Sequence, residues 1–544
     1  MVGCDLQEPA CNRCLDSDKI CEGYARYPVF LNRTKQDLVK RGRLEEAKGA
    51  QQEEPPFQSK SISPPPLSTS SAAALSSSNN TFQRYLVPRQ QSQNVAYNSM
   101  SLTPSNANAI EAQLIAAFWE CYIPTSSAQD GSPCAWLQQS ICLPNPPPAM
   151  HLSLKALAMT RLGWLHKDDS LVRRGRVVYG NALRELHKAL YDKRSMWRHE
   201  TMATCNVLAL YELSESTPAS IVGYNSHVEA LTHLLTMRGL ERCRYDSALA
   251  QAIFEETRLK TMLQSLLHRK ASPLGSHEWC TRPWYQERKD QSQKDIFQKL
   301  YDHGFALAAL LEQIDIANLA DDDANPEAIQ KYLRRCSVMD ARLNLWYQEL
   351  VRGSDSPVYW LTPLNDSVQL GPSHEYWASV FNNNRPFSFP NLRIAHIITF
   401  HWALKLAISS TIASICSTVL STPTSPARTS LQTTARQLLT QHGEKGRLEN
   451  ATNIMRSMPY CLHDNMGLLG AQKSLFVLRA SLLSLRRSKI EELKLCAQMY
   501  RELYEKKGLG YAKQVADMGP KWGIDPDEQL AKICTNGSVR ERGI

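Results

Sequence analysis

From about Ala109 onward, apolar residues recur at helical spacing and the alternation expected of half-buried strands is nearly absent. In RVVYGNALRELHKALYD, the residues Val178, Ala182, Leu186 and Ala189 share one face while Arg184, Glu185 and Lys188 lie elsewhere, which predicts a half-buried helix. In HETMATCNVLALYEL, Met202, Cys205, Leu208 and Tyr211 recur every third residue and predict a second apolar stripe. The segment NSHVEALTHLLTMRGL carries both end signals of a helix. Ser226 followed by Glu229 has capping-box spacing, and Gly239 suits the left-handed residue after a last turn. His227 then falls in a first turn, as a packed or hydrogen-bonded residue. Further helical runs lie around Lys331 to Val351, Pro390 to Leu420 and Ala471 to Tyr504, separated by Pro-, Gly- and Asp-rich breaks. No fixed-period repeat supports a solenoid.

The leading residues are of a different kind. Residues 1–34 are rich in cysteine, and residues 35–108 open with KQDLVKRGRLEEAKGAQQEE and pass into SPPPLSTSSAAALSSSNN. Such Ser-, Pro-, Gln- and Asn-rich sequence buries too little apolar surface to offset the entropy of ordering, so it is expected to be a flexible linker. The fold expected is mostly α: a small metal-stabilised N-terminal module over 1–34, a disordered linker over 35–108, a large all-helical domain over 109–519, and a loose tail over 520–544.

Charge changes this picture little. The net charge of the 544 residues is +9, but residues 1–50 hold nine Lys/Arg against eight Asp/Glu, a weak electrostatic footprint for nucleic acid. The N-terminus MVGCDLQEPACNRC lacks the basic start and apolar run of a signal peptide, which points to a reducing compartment. There, clustered cysteines read as metal ligands and scattered ones as small buried groups. Ile394 to Leu420 is long enough to span a bilayer, yet His396, His401, Lys405 and many Ser/Thr are costly in hydrocarbon, so a buried core helix is expected and no membrane partner.

Cys4, Cys11, Cys14 and Cys21 are spaced C-x6-C-x2-C-x6-C. A two-residue gap aims two thiolates at one ion, longer loops bring the others round, and a zone too short for a core would draw its folding energy from the metal. A structural zinc site held by these four residues is therefore expected. Accidental clustering is the alternative, and a redox role for Cys11 and Cys14 lacks the surrounding strand and helix pattern it needs.

CDLQEPACNRCLDSDKICEGYARYPVFLNRT resembles the second half of the fungal binuclear zinc cluster, in which six cysteines hold two zinc ions. Cys4, Cys11, Cys14 and Cys21 match its third to sixth cysteines, and Pro9, Gly23 and Tyr24 sit where that pattern places them. The resemblance implies that the first C-x2-C and the basic helix entering the major groove would lie before Met1. A second resemblance covers the helical region. MWRHETMATCNVLALYELSEST followed by GYNSHVEALTHLLTMRGL is similar to the fungal-specific transcription factor regulatory domain, through Gly223, Tyr224, Ser226, His227, Arg238 and Gly239.

Together these imply a nuclear, zinc-cluster regulator of RNA polymerase II transcription, with promoter DNA and the transcription machinery or coregulators as partners and a homodimer possible. The alternative is a regulatory scaffold derived from that family which does not bind DNA. An all-helical enzyme is the third reading. Its Asp321, Asp322 and Asp323 lack carboxylates one turn on, where Ala324, Asn325 and Pro326 stand, so a solvated loop is expected. His199 and Glu200 have no second histidine four residues on. No catalytic residue is expected. Basic runs at Arg173, Arg174 and Arg176 and at Arg486, Arg487 and Lys489 read as solvated faces, and Lys40 to Arg43 as a weak nuclear-import signal. Leu31, Leu38 and Leu44 do not sustain a heptad.

Overall fold

The computed structural model describes residues 106–125, 134–215, 218–240, 247–284, 294–319, 325–363, 385–422, 426–485 and 490–517. Cys4, Cys11, Cys14, Cys21, residues 35–105 of the linker, Lys40 to Arg43, Asp321 to Asp323, Arg486, Arg487, Lys489 and the 520–544 tail lie outside these residues, while residues 106–108, expected in the linker, open the first helix. Of the described residues, 83% are helical and 1% lie in strands, as the periodicity predicts.

Several helices start where a short polar side chain takes a free N–H group of the first turn. After α1 (Asn106–Tyr122), α2 (Ala135–Ile141) and α3 (Pro148–His166), Asp168 accepts from Leu171 N at 3.0 Å to open α4 (Asp169–Tyr191). Next come α5 (His199–Glu212) and α6 (Pro218–Arg238). Ser247 then caps α7 (Ala248–His268) on Ala250 N at 3.1 Å. Beyond the short α8 (His277–Thr281), Asp295 caps α9 (Ile296–Ala317) and Asn325 caps α10 (Pro326–Arg352), whose Pro326 supplies a preset first turn. Trp360–Leu361 (β1) pairs antiparallel with Phe387–Ser388 (β2). Asn391 caps α11 (Leu392–Ser421), and α12 (Pro426–Gln441), α13 (Glu444–Cys461), α14 (Gly467–Leu485), α15 (Ile490–Glu505) and α16 (Gly510–Asp517) complete the order.

Two local expectations change. Ser226 is not a helix start: α6 begins at Pro218, so the Ser-x-x-Glu spacing falls inside a helix and His227 sits in its middle, buried at 2% exposure. Gly239 does take the left-handed conformation after Arg238, at φ +79°. The every-third-residue stripe of α5 is also an incomplete account. All residues from Thr201 to Glu212 are buried, because α5 is covered by α3, α6 and α7 rather than by one neighbour. On α4, Ala182 and Leu186 are buried as expected, with Val178 and Ala189 half-buried.

The 30-residue α11 is the axis of the C-terminal part, packed by α9, α10, α12, α13 and α14. It and residues Asp464–Leu485 are long and apolar enough to cross a membrane by length and composition, and 61% of each apolar window is buried in the fold. The C-terminal helices return to the first ones. Gly467, at φ +60°, opens α14 against the end of α1, where a Cβ would stand 2.6 Å from Ile123 O and 2.7 Å from Tyr122 O; only glycine fits this approach. Arg161 of α3 donates to Gly508 O at 2.7 Å, and Tyr511 N donates to Leu213 O at 3.4 Å. Of the scattered cysteines, Cys134, Cys205, Cys336, Cys416, Cys461 and Cys496 are buried and reduced, as expected of small apolar groups, while Cys142 is exposed. Burial pushes the thiols of Cys134, Cys205, Cys336 and Cys461 up to about 12.

Candidate functional site

Gly223 and His227 of α6 face a polar cluster built by α4 and α5. Gly223 presents no side chain, and the space its Cβ would take is filled by the Glu212 carboxylate of α5. Tyr179 of α4 donates its phenol hydrogen to Glu212 Oε1, and its oxygen lies 3.3 Å from His227 Nε2. Tyr179 stacks on Tyr211, ring centroids 4.0 Å apart and 7° from parallel. Tyr211 in turn donates to Glu215 Oε1 at 3.2 Å, and Arg176 closes a fork on both Glu215 oxygens, Nε to Oε1 at 3.2 Å and Nη2 to Oε2 at 2.9 Å. Arg173, Arg174 and Arg176 are all exposed, as expected of a solvated face, and from that face Arg176 reaches the buried Glu215 carboxylate.

Burial dominates the electrostatics of this cluster. Desolvation raises Glu212 from 4.5 to about 7, a shift opposed by its hydrogen bond from Tyr179 and reinforced by Glu215. Desolvation and then the Lys260 ammonium lower His227 from 6.5 to about 4. Tyr179 and Tyr211 are both raised, first by burial and then by the neighbouring carboxylates. At neutral pH His227 is thus an uncharged imidazole, and Glu212 is poised to hold or release a proton. The arrangement ties three helices through one shareable proton.

A second centre lies where α7, α8 and α9 meet. The Arg258 guanidinium is 0% exposed and spends its donors on Gln298 Oε1 at 3.2 Å, Trp279 O at 2.9 Å and Asp302 Oδ1 at 2.5 Å. Phe254, Trp284 and Phe305 surround it with ring centroids 5.4 to 5.8 Å away, and Lys294 pairs with the other oxygen of Asp302. This pairing is what makes a buried arginine tolerable. Outside it, Lys299, Arg342, Leu345, Trp346 and Glu349 line a shallow groove of about 700 Å³ between α9 and α10, bridged by Lys299 and Glu349 at 2.6 Å.

Among the described residues no group of three or more His, Cys, Asp or Glu is placed to hold a metal ion. His199 and Glu200 open α5, where Glu200 pairs with Arg198 at 3.8 Å. Sequence reasoning singled out Gly223, Tyr224 and His227 but missed Tyr179, Glu212, Arg258 and Lys260. The available signal was the glycine inside a helical pattern, which marks a close approach.

Residues 92–354 match the family model described as the fungal specific transcription factor domain. No curated protein and no solved structure matches the chain. The match spans just under half of the chain and supports that domain for the part built by α1 to α10, including the Gly223 and Arg258 centres. It is the domain of a class of transcription regulators, and it suggests a regulatory, non-enzymatic role and a nuclear protein.

Proposed function

We propose that the chain is a sequence-specific regulator of RNA polymerase II transcription whose helical domain governs the activity of a zinc-built DNA-binding module. In this reading Cys4, Cys11, Cys14 and Cys21 are structural zinc ligands, promoter DNA and coregulators are the partners, and the nucleus is the site of action. The observation that supports it is the order along the chain: C-x6-C-x2-C-x6-C, then a polar linker, then residues matching a transcription factor domain. The thiolate spacing suits tetrahedral zinc, and the domain downstream is of the class that regulates transcription.

A second reading is a regulatory scaffold that acts through protein contacts. It is favoured by the nearly balanced charge of residues 1–50, where a phosphate-binding module would carry a marked basic excess. Mapping the five-prime end of the transcript separates the two. The DNA-binding reading expects an in-frame C-x2-C followed by a basic stretch upstream of Cys4, and zinc in the purified protein that is lost in Cys11→Ser/Cys14→Ser. A transcript beginning at Met1, with a product that takes up no zinc, contradicts it and leaves the scaffold.

A further inference from the structure

Where α2, α5, α7 and α14 converge, the core is charged. Lys260 is 3% exposed and donates to Asn206 Oδ1 at 2.8 Å and to Asn206 O at 3.3 Å, with Glu256 Oε1 at 3.5 Å. Glu256 Oε2 is also shared with Lys473 of α14 at 3.9 Å. Two ammonium groups therefore face one carboxylate. The other titratable groups around them do not supply the missing negative charge. The phenols of Tyr122, Tyr224 and Tyr301 and the thiol of Cys134 are all held neutral by burial, and His227 and His396 are uncharged imidazoles. Arg161 adds a further positive charge near Tyr122.

Two donors beside Lys260 have no acceptor among the described residues. Trp136, whose ring centroid is 4.8 Å from Lys260 Nζ, is 3% exposed and its Nε1–H has no partner among the described residues. Asn206 is 0% exposed; its carbonyl oxygen is used by Lys260 while its Nδ2 hydrogens have no such partner. A buried donor left unmade costs about 1–3 kcal/mol, and one protein rarely tolerates two beside an incompletely balanced ammonium without something to accept them. The centre is not sealed: the Glu256 and Lys473 side chains remain 12% and 18% exposed, so the charged edge reaches solvent while Trp136 and Asn206 are buried.

We propose that this centre binds a small monocarboxylate anion, which enters past Lys473, accepts from Trp136 Nε1–H and Asn206 Nδ2, and balances the Lys260 charge. The planar donors of an indole and an amide suit a planar two-oxygen acceptor. One uncompensated positive charge suits a monoanion rather than a phosphate dianion. Because the ligand bridges helices inside the domain, its binding orders α2 and α7 against α14. The proposal stands whether or not the chain contacts DNA.

The test is titration of the purified full chain with acetate, propionate and benzoate in chloride buffer, followed by thermal unfolding and calorimetry, with inorganic phosphate as comparator. The expected result is saturable stabilisation by at least one monocarboxylate and none by phosphate. Binding should weaken at least tenfold in Trp136→Phe, which keeps an aromatic ring but lacks the indole N–H and its five-membered ring, and in Lys260→Met. Should Lys260→Met not fold, Trp136→Phe carries the comparison, since each protein is referred to its own ligand-free state. Absence of saturable binding, binding unaltered in Trp136→Phe, or preferential binding of phosphate overturns the proposal.

Discussion

The part of the molecule before β1 and the part after β2 are both helical, but they keep their shape by different means. Between α1 and α10 the core buries Glu111, Arg161, Glu212, Glu215, His227, Arg258 and Lys260. Between α11 and α16, the buried polar side chains are mostly Ser and Thr, with His401, Gln432 and Glu492, and most of the hydroxyls bond back to their own helices, as Thr399 to Ala395 O and Ser481 to Val477 O. A back-bonded hydroxyl satisfies itself and specifies no neighbour, whereas a buried charge requires particular partners on other helices. The first part is thus held in one arrangement by directional contacts, and the second by shape and area. The matched family domain coincides with the directional part.

The sharpest way to break this contrast is to remove a buried charge. Arg258→Leu deletes three donors, leaves Trp279 O and Gln298 facing apolar rings and Asp302 with Lys294; a loss of about 3–5 kcal/mol is expected in chemical denaturation. A loss under about 1 kcal/mol would mean that the charge is not buried as described. Gly467→Ala forces a side chain into the left-handed region and onto the backbone of Ile123, at an expected cost of about 3 kcal/mol, read from the same transition.

Glu212 gives a pH signature of similar size. Its folded value of about 7 lies above its ordinary 4.5, so the protonated folded state is favoured and its contribution to stability is full below 4.5 and lost as pH rises to 7. His227 acts in the opposite sense: its folded value is lowered, and stability is lost as pH falls from 6.5 towards 4. The two slopes overlap, so the difference between the wild type and Glu212→Gln isolates the carboxyl. The wild type should lose about 3 kcal/mol relative to the variant between pH 4.5 and pH 7 and nothing more above it. A difference independent of pH would place Glu212 in an ordinary carboxylate environment. In the apolar part, Ile408→Val on α11 should cost only about 1 kcal/mol, since neighbours lose one methylene and no partner. A cost near that of Arg258→Leu would erase the distinction between the two parts.

Periodicity made the helical class, the α4 face, the end of α6 at Gly239 and the burial of α11 readable, because each depends on residues within a few turns. The start of α6 was misread because Ser226 and Glu229 mimic a cap, while the true signal, Pro218 at the first turn, lies eight residues earlier. The buried charges were not readable at all. Arg258 and Lys260 stand in FEETRLKTMLQ, which looks like any charged helix face, and Arg258's partners Trp279, Gln298 and Asp302 are 21 to 44 residues away. Nothing local announces a partner on another helix. The candidate zinc ligands are the reverse case: their spacing is local and readable, and they lie outside the described residues.

The central claim is that the chain regulates transcription at promoters through its cysteine module. It is tested most directly by tagging the protein at the C-terminus in its own chromosomal locus and measuring chromatin occupancy genome-wide, with and without Cys11→Ser/Cys14→Ser. The account predicts discrete promoter peaks sharing a sequence element, abolished by the double substitution at unchanged protein level. No promoter enrichment, or peaks that survive the substitution, would contradict it.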